Sequence, residues 1–131
     1  MDFDLTDEQQ ATTELAAKLL GDKATPEALR ALDHADDVRF DRELWRAMAD
    51  AGLLGIAVPV EHGGAGLGLV ELCLVLEEVG RRTAPVPALA SLAFAGLPVA
   101  RFGSAGQQAA LLSPLAAGAS VLTAALVEPL G

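Results

Sequence analysis

Charge is what this chain runs short of, and the shortage is local. In residues 83–131 only Arg101 and Glu128 are ionised; the remainder is mostly Ala, Leu, Val, Gly, Pro and Ser. A domain that leaves so much apolar surface in water attracts something to cover it. The expected cover is the rest of a longer protein, cut at a domain boundary. Cysteine is nearly absent too: Cys73 stands alone, which excludes an internal disulfide and fits a reducing, cytoplasmic setting. The N-terminus, Met1-Asp2-Phe3-Asp4, is acidic, the opposite of a secretory signal. Basic residues are few, with 9 Lys and Arg against 18 Asp and Glu and a net charge of −9. Such a surface repels phosphate backbones, so nucleic acid is not an expected partner. His34 and His62 sit at no metal-ligand spacing, and no metal site is expected. Residues 102–127 are uncharged over a length sufficient for a bilayer. Gln107, Gln108, Pro114 and several Gly and Ser interrupt them, so they read as buried in protein rather than as a membrane span.

What remains is a chain of 131 residues, 52% hydrophobic and only 4% aromatic, enough for one domain with a core. Its alanine content favours helix. Thr6-Asp7-Glu8-Gln9 is a capping-box pattern, followed by Ala11, Leu15, Ala16, Leu19 and Leu20 at helical spacing, with Gly21 as the expected stop. Thr25-Pro26-Glu27 opens a second helix with proline at its first position. His34-Ala35-Asp36-Asp37 reads as solvated loop. Asp41 caps a third helix that places Leu44, Met48 and Ala51 on one face and ends at Gly52. Six glycines and a proline in residues 52–68 forbid a long helix there. A fourth helix is expected over 69–79, ended by Gly80; a fifth over 88–94; a sixth over 98–102. Ser104-Ala105-Gly106-Gln107 opens one more, reaching Leu112, with a short helical turn after Pro114. Residues 120–127 read as a strand stopped by Pro129. The reading is therefore mainly α: six or seven helices in residues 1–118, then residues 119–131 as one strand of a missing β domain.

Few side chains offer chemistry. Cys73 has no basic neighbour in sequence and reads as a core or near-core thiol. Glu77 and Glu78 point about 100° apart on a helix and read as a solvated face or as partners of Arg81 or Arg82. Gly63-Gly64-Ala65-Gly66 lacks the strand, Lys and Ser/Thr of a nucleotide loop and reads as a structural turn. Trp45 reads as a packing residue. No catalytic residue is expected within the chain.

The ordered set of segments carries a resemblance. Gly52-Leu53-Leu54-Gly55-Ile56-Ala57-Val58-Pro59, then Gly63-Gly64-Ala65-Gly66-Leu67-Gly68, resembles the N-terminal signature of the flavin-dependent acyl-CoA dehydrogenases. Phe3-Asp4-Leu5-Thr6-Asp7-Glu8-Gln9 is similar to the family's opening, and Glu77-Glu78-Val79-Gly80 to the end of its long helix. Gly103-Ser104-Ala105-Gly106-Gln107-Gln108 and Leu112-Ser113-Pro114-Leu115-Ala116-Ala117-Gly118 are similar to the segments before its β domain, and Ala124-Ala125-Leu126-Val127-Glu128-Pro129 to that domain's first strand. The likeness covers the whole chain in order. It implies a three-domain parent: N-terminal helices, a middle β domain and C-terminal helices. FAD lies between the last two, and a glutamate beyond this chain takes the α proton of an acyl-CoA while the β hydrogen leaves to the flavin. It also implies an electron-transfer flavoprotein-like acceptor and a homo- or hetero-oligomer.

Under the resemblance, Leu126 and Val127 are the expected flavin contacts. Many members carry Thr where Val127 stands, and valine has no hydrogen-bond donor; losing such a bond costs on the order of 1 kcal/mol. Ala84-Pro85-Val86-Pro87 and the alanine richness look like the actinobacterial members, some of which pair two different subunits. The helix after Ala84-Pro85 would line part of the acyl pocket. Ala90 and Phe94 are the expected lining, and its small side chains either leave room for a bulky acyl group or pack closely against the next domain. Two functions follow: part of a working acyl-CoA dehydrogenase, or a non-catalytic subunit or domain that completes a partner. A free-standing binding helix bundle is the third reading, and such a chain would self-associate through residues 83–131.

Overall fold

The computed structural model describes residues 4–34 and 40–127. Helix α1 (Asp7–Lys23) is opened by the expected box: the Thr6 hydroxyl accepts from Gln9 N at 3.2 Å and the Gln9 side chain accepts from Thr6 N at 3.0 Å. Helix α2 (Pro26–Asp33) is capped by Thr25 and α3 (Arg42–Asp50) by Asp41. A single 3-10 turn at Val60–His62 interrupts the glycine-rich loop before α4 (Leu69–Arg81). A π-helical segment (Leu89–Gly96) runs into α5 (Leu97–Phe102), and α6 (Ala105–Ala116) follows. The main packing is α1 against α4, with α3 behind α1 and the π segment, α5 and α6 against one another. The core joins Ala16 and Leu20 of α1, Leu44, Trp45 and Met48 of α3, Leu72 and Val75 of α4, Leu92 of the π segment and Leu115 of α6.

Several boundaries depart from expectation, each for a physical reason. Gly21 does not stop α1, which continues to Lys23 and ends where Thr25 must leave helical geometry ahead of Pro26. Gly21 instead makes room: a Cβ there would lie 3.2 Å from Arg82 Nη2. The fifth and sixth helices are one continuous helical run. Pro98 cannot donate to the preceding turn, and the run widens ahead of it, with Leu97 N bonded to Leu92 O. Pro114 does not end α6, which reaches Ala116. Cys73 is exposed, not buried; α4 turns Leu72, Val75 and Glu78 inward instead. Residues 120–127 form no strand. A strand needs a second one to take its N–H and C=O groups, and none exists among the described residues. The residues expected to close the strand, Glu128 and Pro129, and most of the loop after His34 lie outside the described residues.

α4 shows the cost of a missing glycine. Gly80 stays helical, and the exit is Thr83 at φ 49. Thr83 N bonds to Gly80 O and Ala84 N to Val79 O, the paired bonds of a Schellman ending. α3 and α6 end in the same way, with Gly52 (φ 77) and Gly118 (φ 69) at that position. A β-branched residue in the left-handed region is strained. Thr83→Gly should therefore raise unfolding stability by about 0.5–1 kcal/mol, the relieved strain less glycine's added chain entropy, as read from denaturant midpoints. An unchanged or lower midpoint would contradict the strain.

Glu71 ties α4 to α1. Its carboxylate accepts from Gln9 Nε2 and from Gly68 N, both at 2.8 Å. The Gln9 bond, with help from backbone N–H groups, holds its pKa below the ordinary 4.5. A lowered carboxylate pKa contributes stability that is complete above the unfolded value and is lost as pH falls through the folded one. Stability should thus decline below pH 4.5, and Glu71→Gln should flatten that decline in acid-unfolding curves.

Candidate functional site

Ser91 is the one polar side chain in residues 84–100, and it is fully buried. A hydroxyl in such a place needs a partner. It finds one outside its own helix: Ser91 Oγ donates to Leu122 O at 2.7 Å. Leu122 also packs against the core. The π segment and the irregular segment of residues 119–127 are thereby joined, which is the pairing of elements that the expected acyl and flavin contacts require. Sequence reasoning passed over Ser91, although a lone serine inside an apolar run was the available signal. π-helical turns concentrate at functional sites.

The four expected contact residues are distributed as follows. Ala90 is half-buried and Phe94 is exposed on the π segment, while Leu126 and Val127 are exposed on the tail, Val127 at 88%. They share no cavity. The largest groove, about 670 Å³, lies one face around: Ala93, Leu97 and Phe102 line it on the helical side and Val60, Leu67 and Leu69 on the loop side. Phe102 stands 81% exposed at its edge. The last third therefore keeps its apolar face uncovered, as its lack of charge implies.

The glycine loop offers no phosphate cradle. Gly64 N bonds to Pro59 O, Ala65 N to Gly55 O, Gly66 N to Val58 O and Leu67 N to Ile56 O, so these donors are spent internally. Glu78 is buried and accepts from Arg81 Nε at 2.9 Å, while the exposed Glu77 accepts from Arg81 Nη2 at 2.6 Å. These are structural ion pairs, not a carboxylate dyad. Among the described residues no cluster of His, Cys, Asp and Glu suits a metal ion, and no helix is long and apolar enough to cross a membrane.

Ser91→Ala should cost about 1–2 kcal/mol in unfolding stability, since the Leu122 carbonyl loses its donor. It should also raise the rate of proteolysis within residues 119–127. A stable variant whose tail stays protected would show that the bond does not hold the tail.

Comparison with known proteins places this geometry. The model of the acyl-CoA dehydrogenase N-terminal domain matches residues 6–119. Acyl-CoA dehydrogenase FadE27 of Mycobacterium tuberculosis is 40% identical over 131 residues, which is all of this chain and 35% of that protein. The mitochondrial isovaleryl-CoA dehydrogenase of Bos taurus is 33% identical over 128 residues, covering 95% of this chain and 30% of its own. Among solved structures, the ChsE4-ChsE5 complex from Mycobacterium tuberculosis superposes with a TM-score of 0.87 at 40% identity, over 94% of this chain and 34% of the other. The Tcur3481-Tcur3483 steroid ACAD G363A variant gives 0.83 at 44% identity, over 89% and 32%. The chain spans about a third of the length of these relatives. With the helical fold, the ordered motifs and the family match over most of its length, the chain belongs to the acyl-CoA dehydrogenase family, whose N-terminal domain it contains.

Proposed function

We propose that this chain serves as the N-terminal helical part, residues 1–118, of an FAD-dependent enzyme that desaturates an acyl-CoA thioester between its α and β carbons, with residues 119–131 leading into a β domain. The observation that carries the reading is the Ser91–Leu122 bond. It fixes the helix bearing Ala90 and Phe94 beside the segment bearing Leu126 and Val127, both with their apolar side open. Ala90 and Phe94 form part of the acyl pocket wall. Leu126 and Val127 offer an apolar edge against which a flavin ring packs, and neither has a side-chain donor for it. When bound, FAD supplies the two-electron acceptor of the desaturation. The proton-removing glutamate and most of the flavin and CoA contacts come from other parts of the protein, so this stretch alone is inactive and does not retain FAD. Electrons pass on to an electron-transfer flavoprotein-like acceptor in the cytoplasm.

The side chains at Ala88, Ala90, Ala93 and Ala95 are small. They leave volume for a bulky or branched acyl group, in keeping with the similarity to a steroid ACAD. The absence of a hydroxyl at Val127 favours a second reading, a flavin-poor subunit that completes a different partner; the similarity to the ChsE4-ChsE5 complex supports it.

The test uses this chain within a subunit of the relatives' length, purified alone and with a candidate partner subunit. Flavin content and turnover of straight-chain, branched and polycyclic acyl-CoA thioesters are measured. We expect flavin and activity on bulky thioesters, and Ala90→Phe to lower that activity about tenfold or more by filling the pocket. Flavin that appears only in the two-subunit sample selects the second reading. A preference for short straight chains, unmoved by Ala90→Phe, overturns the pocket assignment.

A further inference from the structure

A second cavity, of about 370 Å³, lies between the start of α3 and the segment after α6, lined by Phe40, Arg42, Trp45, Arg46, Ser120 and Val121 among others. Its walls meet because Gly118 passes directly over α3: a Cβ there would sit 2.7 Å from Ala49 Cβ. Two polar atoms at this cavity are buried without a partner, Trp45 Nε1 and Ser120 Oγ. Trp45 is 3% exposed, and an indole N–H only donates, so what the site lacks is an acceptor. Arg42 and Arg46 stand one helical turn apart on the same face. Neither guanidinium is paired with a carboxylate among the described residues, in a chain of net charge −9. The Arg42 guanidinium lies 5.0 Å from the Phe40 ring centroid, which holds its fork in place. The backbone donors nearby are spent, since Ala119 N and Ser120 N both bond to Pro114 O. No acidic side chain lines the cavity.

We infer that this cavity is an oxyanion site, taking a carboxylate or phosphate-type group through the Trp45 indole N–H, the Ser120 hydroxyl and the Arg42 and Arg46 guanidiniums. Planar forks on two arginines suit a bidentate oxyanion. A cation would face only donors, and a neutral apolar ligand would leave the indole N–H and the hydroxyl unsatisfied. The inference does not rest on the acyl-CoA reading, because the cavity shares no lining residue with the 670 Å³ groove.

The chain carries its own probe: Trp45 is its single tryptophan. The 15N-labelled chain therefore shows one indole N–H resonance. Inorganic phosphate and, separately, acetate are titrated at constant ionic strength. A saturable downfield shift of that resonance is expected, and Arg46→Gln should weaken it about tenfold. Arg42→Gln should do the same; both arginines are exposed, so both variants keep the fold, as helical circular dichroism verifies. Saturation by phosphate identifies a free phosphate-type anion, and saturation by acetate alone a carboxylate. In a subunit of the relatives' length, a resonance already shifted, deaf to both anions and moved by Arg46→Gln identifies an acidic side chain from the rest of the protein. No saturable shift in the isolated chain together with no effect of Arg46→Gln in the longer subunit overturns the site and leaves an ordered water as the indole's partner.

Discussion

The fold depends on a backbone approach with no room for a methyl group. In the loop between α3 and α4, Gly64 lies so close to Val58 and Gly55 that a Cβ would fall 2.5 Å from Val58 Cβ and 2.6 Å from Gly55 O. That contact lets the loop fold back and bond to itself through Ala65, Gly66 and Leu67. Once closed, the loop points Leu53, Leu54 and Ile56 into the main core and Val58 into a smaller one shared with Leu112 and Ala116 of α6. Gly55 meets Ala116 on the same side, at 3.2 Å from the position of an added Cβ. One loop thus couples the α1–α3–α4 layer to the helices that follow it, and it forms a wall of the 670 Å³ groove. The burial around it rests on non-directional apolar contact. The register rests on those few backbone bonds.

What the sequence made legible was mostly what local chemistry decides. Thr6, Thr25, Asp41 and Ser104 each cap the helix they were read to cap, because an N-cap needs only a short oxygen-bearing side chain three residues from its donor. Helix ends were less legible. Gly21 and Gly80 were read as stops and are interior, one making room for Arg82, while the stop that α4 uses is a strained threonine. Burial on α4 was misjudged by one position: Cys73 faces out while Glu78 is buried on its Arg81 partner, a tertiary choice that periodicity does not encode.

The site was legible in outline only. Composition located the uncovered face correctly, and family likeness pointed to Ala90, Phe94, Leu126 and Val127. The feature that relates those residues is Ser91, a side chain whose bond spans 31 positions and which no local pattern announces. Likewise Trp45 was read as packing, and it is buried as packing demands. Its unpaired N–H emerges only when the segment after α6 is folded over α3. Both omissions concern buried polar atoms, where satisfaction depends on groups far away in sequence.

The distribution of caps follows the distribution of exposed apolar surface. α1, α2, α3 and α6 each have a side chain satisfying their first N–H groups, and Glu71 does this for α4. The helical run of residues 88–102 has no side-chain cap at either of its two parts and carries only Arg101 as a charge. Nothing local favours it beyond alanine propensity, and its π-helical turn has poorer hydrogen-bond geometry than an α turn. It is held from outside, by Leu92 in the core, by Gly96 against Leu115 and by Ser91 on the tail. An element secured in this way is the first to loosen when its contacts are incomplete, and its outer side, with Leu89, Phe94 and Phe102, has no contacts of its own within the chain's core. The least self-sufficient helix is therefore the one that presents the acyl-facing residues. Covering its outer side would supply the order that its sequence does not encode, so assembly and site formation become a single physical event.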